Sequence, residues 1–157
     1  AASGSSDEYA WVKDRVSDVT DGGTFTSGAW QTRVLGTLDN PGSYSWISIG
    51  SNQITLDAGT YIIEWSAPAF FVDGHQTRLR NITDASTAAV GSREWTASSD
   101  SQQTRSTGTT QVTIASSKAF EIQHRCGTTR ATDGFGRSNL DSFGEQIEYT
   151  QVKIIKR

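Results

Sequence analysis

From Gly59 to Pro68 the side chains alternate with a period of two. Tyr61, Ile63, Trp65 and Ala67 fall on one side, and Ile62, Glu64, Ser66 and Pro68 on the other. Successive side chains leave an extended strand on opposite faces, so this segment is a half-buried strand with its large aromatics on one face. A second run, Gln76 to Thr83, alternates Leu79 with Arg78 and Arg80, and the two runs flank a short apolar turn region. Nothing in Gly59–Asp84 has the look of an active site. The stretch predicts the body of a β-sandwich that buries wide aromatic surfaces.

The same grammar continues along the chain. Tyr9 to Val19 fits a short helix through Tyr9, Val12, Val16 and Val19, and fits a strand about as well. Its valines and large aromatics favour the strand. Asp21-Gly22-Gly23 marks a turn, and Asp39-Asn40-Pro41-Gly42 is the strongest turn in the chain. Tyr44–Ile49, Gln53–Leu56 and Thr87–Trp95 are expected strands. Ser98 to Thr107 has no apolar residue and is expected as an exposed loop or hairpin tip. Thr110–Ala115 and Lys118–Arg125 look like paired strands across Ser116-Ser117. In the second of these, Phe120, Ile122, His124 and Cys126 share one face. Gly127–Gly144 is expected as a long loop, and Glu145–Ile155 as the last strand. The count is eight to ten short strands, and eight is the number of a two-sheet jelly roll.

Composition agrees. The chain has 157 residues, enough for one domain that buries roughly 70% of its unfolded surface. Only 34% of residues are hydrophobic, so the five Trp, six Phe and four Tyr must supply much of the core. That modest fraction also leaves room for oligomerisation to bury more. No basic stripe accompanies the net charge of −3, which argues against nucleic acid as a partner. The single cysteine, Cys126, forms no intrachain disulfide, so the fold needs no oxidising compartment. No run approaches 18 apolar residues and no charged-then-apolar start marks a signal peptide, so a soluble chain without membrane insertion is expected.

Catalytic signals are weak. His124 sits on an apolar strand face and is expected as a core histidine. His124, Cys126 and the distant His75 share zinc-ligand chemistry but lack a motif. No calcium loop and no nucleophile elbow occurs. Asp57, Asp73, Asp84, Asp133 and Asp141 lie at turns, where carboxylates cap their own backbone. Glu64 is expected to pair with Arg78 or Arg80 across the sheet. No enzyme activity, cofactor or metal is expected. Trp46, Trp95 and Arg105, with the Ser98–Thr107 run, are the candidates for a ligand or receptor loop.

Three blocks carry a resemblance: GGTFTSGAWQTRVLGTL (Gly22–Leu38), NQITLDAGTYIIEWSAPAFFVDGHQTRLRNITD (Asn52–Asp84) and EIQHRCGTTRATDGFG (Glu121–Gly136), closed by EQIEYTQVKIIKR (Glu145–Arg157). Together they resemble a domain recurrent in tailed-bacteriophage structural proteins, similar in architecture to the C1q and tumour-necrosis-factor jelly roll. The resemblance covers residues 9–157 and implies one antiparallel two-sheet jelly-roll domain behind a flexible arm, residues 1–8. It implies a compact homotrimer, with Tyr61, Ile63, Trp65 and Tyr149 as core or trimer-axis residues. It further implies a virion protein assembled in the bacterial cytoplasm. Its role would be a tail-fibre or appendage knob that binds a host glycan or protein, or a capsid decoration protein held by the N-terminal arm. A tail-associated glycan hydrolase is the distant alternative.

Overall fold

The computed structural model describes residues 7–138 and 141–157. Eleven strands lie among them: β1 (Glu8–Val16), β2 (Gln31–Thr32), β3 (Thr37–Asp39), β4 (Ile47–Gly50), β5 (Gln53–Leu56), β6 (Gly59–Phe70), β7 (Asp73–Asn81), β8 (Ser86–Thr96), β9 (Gln103–Ile114), β10 (Lys118–Cys126) and β11 (Ile147–Lys156). The first sheet has the order β3-β1-β11-β6-β9 and the second the order β4-β5-β10-β7-β8, with β2 added beside β10. Every pairing is antiparallel. The fold is the expected all-β, two-sheet jelly roll, and Tyr9 onward takes the strand alternative. Most of the expected arm, residues 1–6, lies outside the described residues.

Chain neighbours are mostly not sheet neighbours, and here three expectations fail. β6 and β7 belong to different sheets, because Phe71 and Val72 carry the chain across the sandwich instead of folding a hairpin. Glu64 and the arginines Arg78 and Arg80 therefore stand on opposite outer faces and do not pair. Likewise β9 and β10 do not pair across Ser116-Ser117, since β9 pairs with β6 and β10 with β7. Nor is Ser98–Thr107 a hairpin tip. Gln103–Thr107 is the start of β9, and residues 97–102 cross from the second sheet to the first. A short polar turn is the same sequence signal whether it closes a hairpin or bridges two sheets.

The β6–β7 crossing is strained and well held. Phe71 and Asp73 have φ of 62° and 63°, a left-handed conformation that L-residues seldom adopt. The Phe71 N–H donates to Thr96 Oγ1 at 2.6 Å, and its ring lies 4.6 Å beneath the Arg130 guanidinium. Asp73 accepts from Thr128 Oγ1 at 2.5 Å and from the Ser98 N–H at 2.9 Å. These contacts offset a backbone cost of about 1–3 kcal/mol per residue.

Between the sheets the core divides into two zones. The larger is apolar and packs Val12, Trp46, Tyr61, Ile63, Trp65, Leu79, Phe120, Ile122, Val152 and Ile154. Trp65 reaches from β6 to the opposite sheet, where its Nε1–H donates to Thr77 Oγ1 at 2.8 Å. Gly108, opposite Trp65 on β9, leaves the room for it, because a Cβ there would stand 2.1 Å from the indole. The smaller zone gathers Phe25, Ala69, Val72 and Cys126, with Phe135 against them.

Candidate binding faces and a buried polar spine

The solvent face of the first sheet carries an apolar row. Tyr9 on β1 stands opposite Ile155 on β11, which stands opposite Ile62 on β6. Tyr9 is 43% exposed, and Ile62 and Ile155 are half-buried. Trp11, two residues along β1 on the same face, packs edge-on against Tyr9 at 5.2 Å. An antiparallel sheet with one face in water normally puts polar side chains outward, so this outward apolar row is a candidate contact surface. Charges border the row in pairs. Arg15 donates to Glu148 at 2.8 Å and to Asp39 at 2.7 Å, and Lys13 reaches the same two carboxylates at 3.2 and 3.6 Å. Burial alone would raise Glu148, yet these two cations hold its carboxyl below the usual range.

Across the smaller core zone runs a polar spine. Arg33, 1% exposed, donates to Thr150 Oγ1 at 2.7 Å, to the Pro68 carbonyl at 3.1 Å and to the Phe135 carbonyl at 2.9 Å. Its guanidinium also lies 4.2 Å from the Phe135 ring centroid. Burial lowers Arg33 to about 9, which leaves it charged at neutral pH, and Asp14 supplies the nearby opposite charge. His75 and His124 share a bond of 2.9 Å between Nδ1 and Nε2, and His75 Nε2 lies 2.8 Å from Thr104 Oγ1. Thr104 in turn donates to the Trp95 carbonyl at 3.2 Å.

One proton arrangement satisfies this chain. His124 Nε2–H donates to His75 Nδ1, His75 Nε2–H donates to Thr104, and Thr104 donates to Trp95. It leaves His124 Nδ1, which has no hydrogen-bond partner among the described residues, as a bare lone pair rather than a stranded N–H. Burial, reinforced by the Arg33 charge, holds His75 at about 4 and His124 well below its ordinary value. Both are neutral at pH 7 and do structural work. Cys126 is 6% exposed, and burial pushes its thiol up to about 11, which makes it a poor nucleophile. Among the described residues no group of three or more His, Cys, Asp or Glu is placed to hold a metal ion.

The solvent face of the second sheet is of another kind. A groove of about 400 Å³ opens there, lined by Trp30, Gly74, Gln76, Arg93, Trp95 and Arg125 among others. Gln76 on β7 stands between Arg125 on β10 and Arg93 on β8 in one cross-strand row. Arg78 and Arg80 continue the face along β7. Trp95, 62% exposed, lies over Gly74, where an added Cβ would stand 3.7 Å from the ring, in ordinary van der Waals contact. Trp30 covers Arg78, whose guanidinium is 4.2 Å from a ring centroid of the indole.

The residues singled out from sequence therefore scatter. Tyr61, Ile63 and Trp65 lie in the apolar core, and Tyr149 lies beside the polar spine, its hydroxyl donating to the Thr20 carbonyl at 2.6 Å. Trp46 lies in the turn before β4 but is not free to meet a ligand. It is 5% exposed, packed against Tyr44 and Tyr61, with its Nε1–H directed to Glu8 at 3.3 Å. Arg105 is on a strand and not on a loop. It lies half-buried along β9, bonded to Ser66 Oγ and to the Tyr149 carbonyl. Trp95 alone of those three is open to solvent. Sequence reasoning missed Arg33, whose inward direction follows from sharing parity with Leu35, and the meeting of the two histidines, which strand register creates.

No family model matches the chain, and no curated protein matches it in sequence. Solved structures do share its fold. Murine APRIL at pH 8.0 superposes with a TM-score of 0.56 at 8% identity, covering 97% of this chain and 100% of that one. The globular domain of zebrafish complement 1qA gives 0.55 at 9%, covering 96% of each chain. Eiger TNF from S. frugiperda gives 0.59 at 7%, covering 96% of this chain and 92% of that one. The chain thus has the jelly-roll fold of the tumour-necrosis-factor and C1q domains.

Proposed function

We propose that this chain is a non-catalytic jelly-roll module that assembles as a homotrimer on a bacteriophage virion, as the knob of a tail fibre or appendage that meets the host surface. The observation that carries the assembly is the outward row Tyr9–Ile155–Ile62 with Trp11 beside it. A cyclic trimer closes such a face against neighbouring copies and leaves no open edge for further growth. The paired charges at its border suit an interface rim, where satisfied ions are cheaper to approach than lone ones. The virion placement rests on the blocks Gly22–Leu38, Asn52–Asp84 and Glu121–Gly136 and their resemblance to tailed-phage structural domains.

A non-catalytic role is supported by the carboxylates. Hydrogen bonds from Ser142 and Thr128 hold Asp18 and Asp73 below the usual range, and Arg15 and Lys118 do the same for Asp39 and Asp84. A glycosidase needs one carboxylic acid kept protonated, the reverse condition. Asp14, whose carboxyl burial raises, is only 6% exposed, out of a substrate's reach.

A second reading, capsid decoration, draws on one feature. β1 begins at Glu8, so the residues that precede it are joined in sequence to the strand that bears Tyr9 and Trp11. Antibody labelling of intact virions separates the two. Label at the tail tip is the expected result, label over the shell establishes decoration, and label on neither refutes both.

A further inference from the structure

The second sheet's outer face presents four arginines, Arg78, Arg80, Arg93 and Arg125, that make no close ion pair among the described residues, although Glu121 on β10 stands opposite Arg80 on β7. Their hydrogen bonds go to neutral groups: Arg78 to Gln123, Arg80 to Thr87 and the Ala85 carbonyl, Arg93 to Gln76, and Arg125 to the Gly28 carbonyl. The chain as a whole is acidic, with a net charge of −3, so this cluster is a local exception to its surface. Arg125 and Arg93 flank Gln76 across three adjacent strands, which separates their Cα positions by about 10 Å. Arg78 stands about 7 Å further along β7, where residues two apart share a face.

We infer that this face binds an acidic saccharide, with Arg93, Arg125 and Arg78 taking carboxylates and the Trp95 indole stacking on a sugar ring. Guanidinium is the side chain best suited to a planar carboxylate, which it grips through two parallel N–H bonds. The amides of Gln76 and Gln123 and the hydroxyl of Thr32 interleave with the arginines and match a ligand that alternates hydroxyls with carboxylates. Trp95 offers the flat apolar surface that a sugar's C–H face requires, held over Gly74 at the groove's floor. Two carboxylates near the face are already engaged: Asp73 with Thr128 and Ser98, and Glu121 with Thr32, Gln53 and Gln123. A nucleic acid fits less well. A densely charged phosphate backbone meets repulsion from the acidic remainder of the chain, and finds no use for the interleaved amides. In the proposed trimer the face points away from the assembly surface, so three copies would act together and multiply a weak single-site affinity.

This inference names the partner class for the proposed host-surface contact, but it rests on the arginine face and not on the virion placement. The test measures binding of the whole chain to oligogalacturonate and oligosialate, with dextran as neutral control and an oligothymidylate as phosphodiester. Binding to at least one acidic saccharide, weakened by added salt, is expected, with none to dextran. Arg93→Gln/Arg125→Gln is expected to weaken it tenfold or more and flatten its salt dependence. Trp95→Ala is expected to weaken it several-fold while leaving the salt dependence intact. Both variants alter exposed side chains, and unchanged thermal unfolding will confirm that they fold. Binding to neither acidic saccharide, equal binding to dextran, or tighter binding to oligothymidylate overturns the inference. A trimer that binds none of them leaves the assembly reading standing, and a monomer that binds oligouronate leaves this one.

Discussion

The two outer faces of the sandwich handle charge in opposite ways. On the first sheet, Lys13 and Arg15 share Asp39 and Glu148 beside an apolar row. On the second, Arg78, Arg80, Arg93 and Arg125 bond only to amides, hydroxyls and carbonyls. Charges already paired lose little when a neighbouring surface removes their water, and the apolar row gains by losing it. Unpaired arginines on an open face keep their water until an anion arrives from outside. One face is therefore suited to a second copy of the chain, and the other to a foreign ligand. Between them lies a core whose polar spine serves both sheets at once.

That contrast can be broken from either side. Ile62→Arg places a cation at the β6 end of the apolar row, beside Ile155, and is expected to abolish the trimer, read as a fall to the single-chain mass in sedimentation at micromolar concentration. The variant monomer should keep its acidic-saccharide contact per chain, because Ile62 faces away from the arginines. Arg33→Met attacks what the faces share. It strands the Thr150 hydroxyl and the Pro68 and Phe135 carbonyls, and leaves Asp14 without its buried counter-charge. A loss of about 3–5 kcal/mol in denaturant unfolding is expected, with assembly and ligand binding lost together.

Acid should reach the second sheet through His75. Its folded value of about 4 lies below the ordinary 6.5, so the unfolded chain binds more protons between those values. Stability is complete above pH 6.5 and falls as pH drops toward 4, with a slope of about 1.4 kcal/mol per pH unit for each buried imidazole. His124 adds in the same direction, while Asp14, raised by burial, opposes it at the bottom of the window. His75→Gln should flatten the slope seen by thermal unfolding between pH 7 and pH 4. The smallest effect belongs to Glu148→Gln, which should cost less than about 1 kcal/mol in unfolding, because the pair it breaks is partly solvated.

Much of the fold was legible because alternation is a local signal. Tyr61, Ile63 and Trp65 on one side of β6, and Phe120, Ile122 and His124 on one side of β10, announce strands and an inside face without reference to anything distant. Which strands pair is not local. Asp57-Ala58 and Ser116-Ser117 have turn-like composition and Phe71-Val72 is a short apolar link, yet all three cross between sheets, since a jelly roll bonds β6 to β9 and β11 instead of to β7. The same limit hid the site. The meeting of His75 with His124 depends on β7–β10 register, and the arginine face needs β10, β7 and β8 side by side. Trp46 misled for a simpler reason: the turn that precedes it is local and visible, while the ring of Tyr61 that helps to bury it comes from β6 in the other sheet. Trp95, a ligand-loop candidate beside the polar run Ser98–Thr107, is exposed as expected but stands on β8.

The first sheet's outer face is the proposed assembly surface. Sedimentation equilibrium of the unmodified chain at micromolar concentration tests this most directly. The prediction is a single species of three times the 17.0 kDa chain mass, reduced to one chain by Ile62→Arg. A monodisperse 17.0 kDa species across that range would contradict it.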